Sequence, residues 1–265
     1  MLCQFYFYRR VMTSVVALVF SALLCPCVSL SSEFARAQIE VFIDQEIAMP
    51  GNDDVKTQDG ISPLIRCPDA FISLRLHRID AKKLGLTEWF AIINKPLKPT
   101  KKPLEIRNGD YFPKTLLIRS GDAVVDPDYG KWKSQIEPIN GMTFYKMTRS
   151  SPPGVPLDAY TIHAAEPNAI EIRNGTYPDR LCYLFVVGDS CAALTDAEGV
   201  AKFPELPCDV DLPMQIQFPG YPLEKTRFES PTLKLNDTGR FKLRVRSGVE
   251  NRHVIKILPL PVQGE

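Results

Sequence analysis

Short stretches in which apolar and polar residues alternate are the feature of this sequence that most constrains its fold. From Val210 to Phe218 most alternate residues are apolar, which is the period of a β-strand with one buried face. Pro213 lies within this run and cannot donate a ladder hydrogen bond, so it indicates an edge strand or a bulge. The same alternation over Phe71–His77 predicts a second half-buried strand.

Further short apolar runs repeat this pattern along the chain, and turn-forming pairs with glycine separate them. The additional predicted strands are Gln38–Asp44, Thr115–Arg119, Ala123–Val125, Ala169–Arg173, Tyr183–Val187, Phe241–Val245 and His253–Leu258. The turns are Asn108-Gly109, Ser120-Gly121, Asn174-Gly175, Glu198-Gly199 and Thr238-Gly239. Only Ala81–Leu86 favours a helix, and 23 prolines argue against a helical bundle. The predicted fold class is therefore all-β, an antiparallel β-sandwich.

The N-terminal segment has the pattern of an export signal. Arg9 and Arg10 precede an apolar run, Val11–Leu24, of 14 residues, which is shorter than the about 20 residues of a membrane-spanning helix. Ala35-Arg36-Ala37 matches a signal-peptidase site, cleavage near Ser29 is a second choice, and a retained N-terminal anchor is the alternative. We expect residues 1–37 to be removed and the protein to be secreted or periplasmic. A second long apolar run is missing, so we do not expect an integral membrane protein.

Four cysteines follow the predicted signal peptide: Cys67, Cys182, Cys191 and Cys208. An even number in an exported chain is compatible with two disulfides and three pairings. Cys191 and Cys208 flank a turn-rich segment and could meet across adjacent strands, which leaves Cys67 with Cys182. The alternative is that some of the four are buried thiols. Because the spacing contains no C-x-x-C, a zinc ribbon is not expected.

Charge and motif content favour a non-enzymatic protein. Lys and Arg total 32 and Asp and Glu total 31, without a block of like charge, so the sequence does not indicate a nucleic-acid binder. Three histidines leave little material for a His-based site. G-x-S-x-G, H-E-x-x-H, Walker and G-x-G-x-x-G motifs are all missing. We therefore predict no catalytic residues and no cofactor, and the partner stays unspecified.

Two segments of the chain are similar to each other. Glu105–Pro113 and Glu171–Pro178 both read E-I-R-N-G, followed by an aromatic residue and proline. One interpretation is a pair of matching loops at one end of a sandwich. The other is two independent turns, because Asn-Gly suits positive φ angles wherever it occurs.

A resemblance to known families is carried by Thr195–Phe203 and Glu205–Pro207, which resemble the T-D-A-x-G-x-F-x-x-x-x-L-P signature of carboxypeptidase-regulatory-like β-sandwich modules. The same signature follows the metal loop of exported bacterial cupredoxin-like proteins labelled methylamine-utilisation-like. Tyr111–Val124 is similar to the F-x-P-H-x-L segment of that group, and Tyr183–Val187 to its strand after the metal loop. The resemblance covers about residues 104–258. It implies a Greek-key, cupredoxin-like sandwich.

The resemblance does not extend to the copper ligands. Aligned on Thr195, the chain has Asn174 at the family's Cys, Tyr177 at its His and Arg180 at its Met, and Lys114 replaces a second His. A type 1 copper site needs a thiolate and imidazoles, so we expect no such site. These four residues are instead candidates for a cationic pocket that binds an anion or another ligand. A rearranged copper site with Cys182 and His163 is the alternative.

These observations predict a cupredoxin-like sandwich over residues 38–190, a carboxypeptidase-regulatory-like segment over 191–260 and a tail over 261–265. The expected function is an exported, non-enzymatic binding or structural module without type 1 copper. One alternative is a copper-binding electron-transfer protein with an atypical site. Another is a carbohydrate-binding sandwich that uses exposed aromatic residues such as Trp89, Tyr129 or Trp132.

Overall fold

The structure is a computed structural model, and it is built mostly from β-strands. It describes residues 33–48, 63–95, 98, 100–125, 135–138, 145–149, 159–164, 168–173, 177, 181–187, 191–218 and 226–260. Within these ranges, no helix combines the length and apolar character needed to cross a membrane. The strong strand content confirms the all-β prediction.

Strands from both ends of the described chain form one pair of sheets, here called the terminal sandwich. Its first sheet contains β1 (Phe34–Asp44), β2 (Leu64–Arg66), β15 (Val200–Pro207), β17 (Thr226–Glu229) and β19 (Asn251–Pro259). Its second sheet contains β3 (Phe71–Leu74), β14 (Ala192–Leu194), β16 (Asp211–Gln217) and β18 (Arg240–Arg244). The strand order of the first sheet is β15-β1-β19-β17, and β2 pairs additionally with β1. The strand order of the second sheet is β14-β3-β16-β18.

Alternation along the strands builds the core of the terminal sandwich. In β1, Ile39, Val41 and Ile43 are buried and alternate with partly exposed residues. They pack in one cluster with Ile72 and Leu74 of β3 and with residues of β15, β16, β18 and β19. The helices α1 (Gln45–Ala48), α2 (Arg78–Lys83) and α3 (Thr87–Ile93) are short and contribute side chains to the same cluster.

Residues 101–187 form a second pair of sheets, here called the middle sandwich. One sheet has the order β10-β11-β8-β4 and the other β7-β13-β12-β9, and a separate hairpin joins β5 to β6. Their bounds are β4 (Lys101–Pro103), β5 (Glu105–Arg107), β6 (Asp110–Phe112), β7 (Thr115–Arg119), β8 (Ala123–Val125), β9 (Gln135–Pro138), β10 (Tyr145–Arg149), β11 (Ala159–Ala164), β12 (Asn168–Arg173) and β13 (Leu181–Val187). Ile118, Val124, Ile162, Ile172 and Leu184 belong to its separate core.

An aromatic contact joins the two sandwiches. The rings of Phe71 in β3 and Phe185 in β13 stack with centroids 4.7 Å apart, within a third buried cluster that includes Ala169 and Val187. β3 is consequently buried on both faces, whereas its alternation predicted one solvated face. Next to this contact the Thr115 side chain donates a hydrogen bond to the Asp69 carboxylate. Burial raises the pKa of Asp69, and the bond from Thr115 opposes that shift.

Three pairs of strands depart from a purely antiparallel arrangement. β1 runs parallel to β19, β7 to β13 and β4 to β8. β16 is an interior strand between β3 and β18, and its register with β18 is regular at Pro213, so the expectation of an edge strand or a bulge is wrong. The hydrogen bond at this residue uses the backbone carbonyl and not an N–H group, because Arg75 N–H donates to Pro213 O at 2.7 Å. The predicted helix Ala81–Leu86 overlaps the end of α2, and the predicted strand Phe71–His77 ends at Leu74.

The pairing of the strands does not follow the domain boundary at residue 190 that the sequence predicted. β1 pairs with both β15 and β19, and β3 pairs with β14 and β16. The N-terminal strands therefore share a core with the strands after residue 191, and the middle sandwich is inserted between them. This arrangement follows from the parallel β1–β19 pair, which no local sequence pattern reports.

The structure contains no disulfide among the cysteines that it describes, so the two predicted pairings have no support in it. Cys67 belongs to the core of the terminal sandwich and Cys182 to that of the middle sandwich. Cys191 directly precedes β14, and its carbonyl accepts a hydrogen bond from Leu74 N–H. Cys208 instead follows β15, and its backbone forms an isolated β-bridge with Val245.

The predicted cleavage motif Ala35-Arg36-Ala37 lies inside β1. Ala35 is paired with Leu206 and Ala37 with Phe203, and Ala37 is buried. Arg36 O also accepts a hydrogen bond from Asn251 Nδ2 at 3.2 Å. Cleavage after Ala37 would remove these contacts, whereas cleavage near Ser29 leaves β1 complete.

Thr195, the first residue of the T-D-A-x-G segment, is a buried connection between strands. Its hydroxyl accepts a hydrogen bond from Ala70 N–H at 2.8 Å and donates one to Cys67 O at 2.7 Å. Its backbone carbonyl accepts from Asp69 N–H at 3.1 Å. Thr195 therefore fixes the turn between β2 and β3 onto the end of β14.

The next residues form a turn that occurs twice in the terminal sandwich. Asp196 Oδ1 accepts hydrogen bonds from the N–H groups two and four residues ahead, and Asn236 Oδ1 does the same. In both turns the glycine three residues ahead has φ +70°, and its carbonyl accepts a hydrogen bond from a neighbouring strand. An added Cβ at Gly199 or Gly239 would meet a backbone carbonyl at 2.7 Å. Both positions therefore require glycine for conformation and for space.

Candidate functional site

The candidate site lies at one end of the middle sandwich, here called the loop end. It comprises the β5–β6 hairpin, residues 113–114, the end of β12, Tyr177 and the start of β13. Of the four residues that the sequence proposed, Lys114 and Tyr177 are described and exposed. Asn174 and Arg180 lie outside the described residues.

The β5–β6 hairpin presents one face to solvent at the loop end. Asn108 and Gly109 have φ angles of 52° and 84°, so the predicted Asn-Gly turn is confirmed. Side chains of Glu105, Arg107, Asp110 and Phe112 share the exposed face. The Arg107 guanidinium lies 3.8 Å from the centre of the Phe112 ring and 2.8 Å from the Glu105 carboxylate.

Asp110 connects this hairpin to the rest of the loop end. Its carboxylate accepts hydrogen bonds from the N–H of Tyr111 and from Lys114 Nζ. It also accepts one from the backbone N–H of Leu181 at the start of β13. Partial burial would raise the pKa of Asp110, but these three hydrogen bonds together lower it. Asp110 is therefore ionised at neutral pH and holds the hairpin against β13.

A second Glu–Arg pair repeats the first at the end of β12. Glu171 and Arg173 are 2.6 Å apart, with the same two-residue spacing as Glu105 and Arg107. Next to them, burial raises the pKa of Tyr183, the Glu171 carboxylate adds to this shift, and Arg173 opposes it. The E-I-R parts of the two similar segments thus form equivalent ion pairs. The hydrogen bond from Leu181 N–H joins Asp110, within the first segment, to the start of β13, which follows the second segment.

These ion pairs change the expected electrostatics of the loop end. The anion-binding hypothesis relied on the positive charges of Lys114 and Arg180. Lys114 is paired with Asp110, and the nearby cations Arg107 and Arg173 each have a glutamate partner. The described part of the loop end therefore has compensated charges, and it does not form a cationic pocket.

The thiols and His163 are not arranged as a thiolate–imidazole site in the described structure. Cys182 is buried in the core of the middle sandwich, where its Sγ donates to Pro113 O at 3.6 Å. His163 is exposed on β11 beside Gly121, while its neighbour Ile162 points into the core. Among the described residues, no group of three or more His, Cys, Asp or Glu side chains could hold a metal ion.

Two further thiols belong to the terminal sandwich, where Cys67 is buried and Cys191 is partly buried. Burial, with a smaller contribution from the Asp69 carboxylate, raises the pKa of Cys67 to about 12. Burial alone raises the pKa of Cys191 to about 11. Both thiols are therefore protonated at neutral pH and are weak nucleophiles and weak metal ligands.

Of the three aromatic residues that the sequence suggested as exposed, only Trp89 lies in the described part of the chain, and it is not exposed. Trp89 is buried, and its Nε1–H points toward Glu205 O at 3.4 Å, because α3 packs this side chain into the terminal core. Tyr129 and Trp132 lie outside the described residues. Phe112 and Tyr177 are exposed by 46% and 50% at the loop end. Each directly precedes a proline a few residues after an Asn-Gly pair, and that aromatic-proline pattern could have identified them.

Comparison with known protein families, with curated proteins and with solved structures finds no match to this chain.

Proposed function

We propose that this protein is an exported, non-enzymatic binding or structural module. In this proposal the middle sandwich is a cupredoxin-like fold without type 1 copper, and the terminal sandwich is the carboxypeptidase-regulatory-like part. The loop end is the surface that meets a ligand or an extracytoplasmic partner. Phe112 and Tyr177 supply exposed aromatic area there, beside polar groups that are already ion-paired.

The Lys114–Asp110 ion pair is the observation that carries the proposal. Lys114 stands where the resembled family has a metal-binding histidine, and its ammonium group is engaged by the Asp110 carboxylate. An ammonium group donates hydrogen bonds and has no lone pair with which to bind a metal. The position is thus built as part of a surface ion pair and not as a ligand position.

Addition of Cu²⁺ to the purified protein, followed by visible absorption, tests this proposal. We expect no intense thiolate-to-copper absorption from the wild-type protein. Lys114→His is the matched variant that restores one imidazole, and it is expected to remain colourless because Cys182 is buried. An intense band in the wild-type protein that Cys182→Ser abolishes would instead support the atypical copper site.

Carbohydrate is the second candidate ligand class, and the exposed rings of Phe112 and Tyr177 favour it. Aromatic faces pack against the apolar faces of sugars while hydroxyls bond to neighbouring polar groups. Titration of the protein with neutral oligosaccharides, monitored by amide chemical shifts, tests this candidate. Phe112→Ala should abolish any shift, whereas Ile92→Ala, at an exposed apolar position of α3, should not.

Export is part of the proposal, and the position of β1 bears on where the signal peptide is cleaved. Because β1 starts at Phe34, we propose that the signal peptide is removed before this residue and not after Ala37. N-terminal sequencing of the protein from its native compartment tests this. A mature chain beginning at Gln38 would contradict it, and an intact Met1 start in the cytoplasm would contradict export itself.

A further inference from the structure

A cleft of about 430 Å³ opens at the side of the terminal sandwich. The ladder between β17 and β19 covers Lys256–Pro259 and ends at Glu229. Beyond this point Thr232 and Leu233 form one wall of the cleft, and residues after β18 form another. The volume falls within the range of small-ligand sites, about 300–1,000 Å³.

The cleft is lined by more cations than carboxylates. Lys242, Arg244, Arg246 and Arg252 line it together with a single carboxylate, that of Glu250. Glu250 is paired with Arg252 at 2.7 Å. We name this feature the cationic cleft. Its positive charge is spread over β18, the turn after β18 and β19.

Asp211, near the cleft, compensates part of this charge at longer range. Its carboxylate is 3.9 Å from both Lys242 Nζ and an Arg244 guanidinium nitrogen. These distances are too long for hydrogen bonds. Arg246 has no acidic partner among the described residues, so its guanidinium is the best placed of the four to bind an added anion.

The walls of the cleft are held in place by polar side chains. Asn251 is buried, and its amide accepts from Arg246 N–H at 2.8 Å and donates to Arg246 O at 3.0 Å. On the other wall Thr232 Oγ1 and His253 Nδ1 are 3.0 Å apart. Ser230 Oγ accepts from the N–H of Leu233 at 3.1 Å. A site whose backbone is fixed in advance loses less entropy when a ligand binds.

Protection of a sheet edge explains only part of this charge. β18 is the last strand of its sheet, and charged side chains on edge strands prevent pairing with other chains. This accounts for Lys242 and Arg244. Arg246 follows β18, and Arg252 belongs to β19, which lies between β1 and β17. Their convergence on one cleft therefore needs another explanation.

We infer that the cationic cleft binds a tetrahedral oxyanion, a phosphate or sulfate group that is either free or carried as an ester. Arginine guanidinium groups match the geometry of such oxyanions, and several cations suit a doubly charged group better than a single carboxylate. None of the loop-end residues takes part, so this inference is independent of the function proposed for the loop end.

Titration of the protein with inorganic phosphate at low ionic strength tests the inference, with amide chemical shifts and calorimetry as readouts. We expect saturable binding that shifts the amides of Arg246 and Asn251 and weakens as salt increases. Arg246→Gln should weaken binding roughly tenfold. Glu250→Gln should tighten binding, because it removes the carboxylate from the cleft, and a merely structural role of these residues would not produce this gain.

The matched control is Arg227→Gln, which removes an exposed arginine that is paired with Glu229 outside the cleft. It should leave phosphate binding unchanged. Glycerol phosphate and inorganic sulfate are titrated in the same way. If glycerol phosphate binds more tightly than inorganic phosphate, the ligand is the ester; if the two bind equally, it is the free ion. Lack of saturable binding of all three probes, or equal losses in Arg246→Gln and Arg227→Gln, would overturn the inference. Near-ultraviolet circular dichroism checks that each variant is folded.

Discussion

In the terminal sandwich, buried polar side chains at strand ends bind the backbone of distant segments, whereas at the loop end of the middle sandwich most charged side chains form partly exposed ion pairs. Thr195 and Asn251 are buried and each binds backbone groups of distant segments. At the loop end, Glu105–Arg107 and Lys114–Asp110 join residues two and four positions apart. The first arrangement connects distant segments of the chain, and the second mainly joins residues that are close in sequence.

The glycine turns show the same difference. Gly199 and Gly109 both have positive φ angles, so both suit glycine. At Gly199 the space for a side chain is taken by Val41 O, while nothing lies within 4 Å of a Cβ at Gly109. A side chain at Gly199 is therefore excluded by tertiary packing, whereas a side chain at Gly109 is opposed by its positive φ angle and meets no neighbour.

The largest effect is expected from comparing Gly199→Ala with Gly109→Ala. Both variants place alanine at a positive φ, but only Gly199→Ala also forces a Cβ to 2.7 Å from Val41 O. We expect Gly199→Ala to lower the free energy of unfolding by roughly 3 kcal/mol and Gly109→Ala by roughly 1 kcal/mol. Urea denaturation measures both values. Equal losses would mean that the two turns are not constrained differently.

Thr195→Val tests the buried connection in the terminal sandwich. The substitution keeps the shape of the side chain but removes the hydroxyl that binds Ala70 N–H and Cys67 O. Because both backbone groups would be buried without these partners, we expect a loss of about 2 kcal/mol in the free energy of unfolding. Thr238→Val is the matched control on an exposed turn, and it should cost under about 0.5 kcal/mol. A loss no larger than that of Thr238→Val would contradict the role of Thr195.

Truncation at the two possible cleavage positions measures the contribution of the first residues of β1. A chain beginning at Gln38 lacks the pairing of Ala35 and Ala37 with β15 and the bond from Asn251 to Arg36. We expect it to be less stable by about 1–2 kcal/mol than a chain beginning at Phe34, as measured by thermal unfolding. Equal stability would remove the structural argument for cleavage before Phe34.

The smallest effect is expected at the loop end, from Asp110→Ala. The pKa of Asp110 is lowered in the folded protein, so the carboxylate stabilises the fold above the ordinary carboxyl pKa of about 4. This contribution is lost as the pH falls through the lowered folded value. We expect Asp110→Ala to cost less than about 1 kcal/mol at pH 7, because the pair is partly exposed, and less still under acid. A pH-independent loss in urea denaturation would show that charge is not the cause.

Local pattern in the sequence predicted individual strands well and their partners poorly. Thr115–Arg119 and Ala123–Val125 have the bounds that their short apolar runs and the Ser120-Gly121 turn between them predicted. The pairing of β1 with β19 joins residues more than 200 positions apart, and no short-range pattern contains that information. The alternation of Ser73 with isoleucine and leucine predicts a solvated side chain. Ser73 is nevertheless buried, because the middle sandwich covers this face of β3.

The candidate site was predictable only in part for a similar reason. Lys114 and the Asn108-Gly109 turn could be placed at a strand end from their neighbours in sequence. The partner of Lys114 is Asp110, and this pair compensates the charge of Lys114 in the described part of the loop end, whereas Arg180 of the predicted pocket lies outside the described residues. The cationic cleft could not be predicted from the sequence. Lys242, Arg244 and Arg246 alternate with apolar residues as in any half-buried strand, and Arg252 lies beside them only in the folded chain.

Metal content of the protein purified from its native compartment tests most directly the central claim that the loop end is not a type 1 copper site. Elemental analysis and the visible spectrum should be recorded on the same sample. The account predicts copper far below one ion per chain and no intense thiolate-to-copper absorption. One copper ion per chain, with an intense band that disappears in Cys182→Ser, would contradict it.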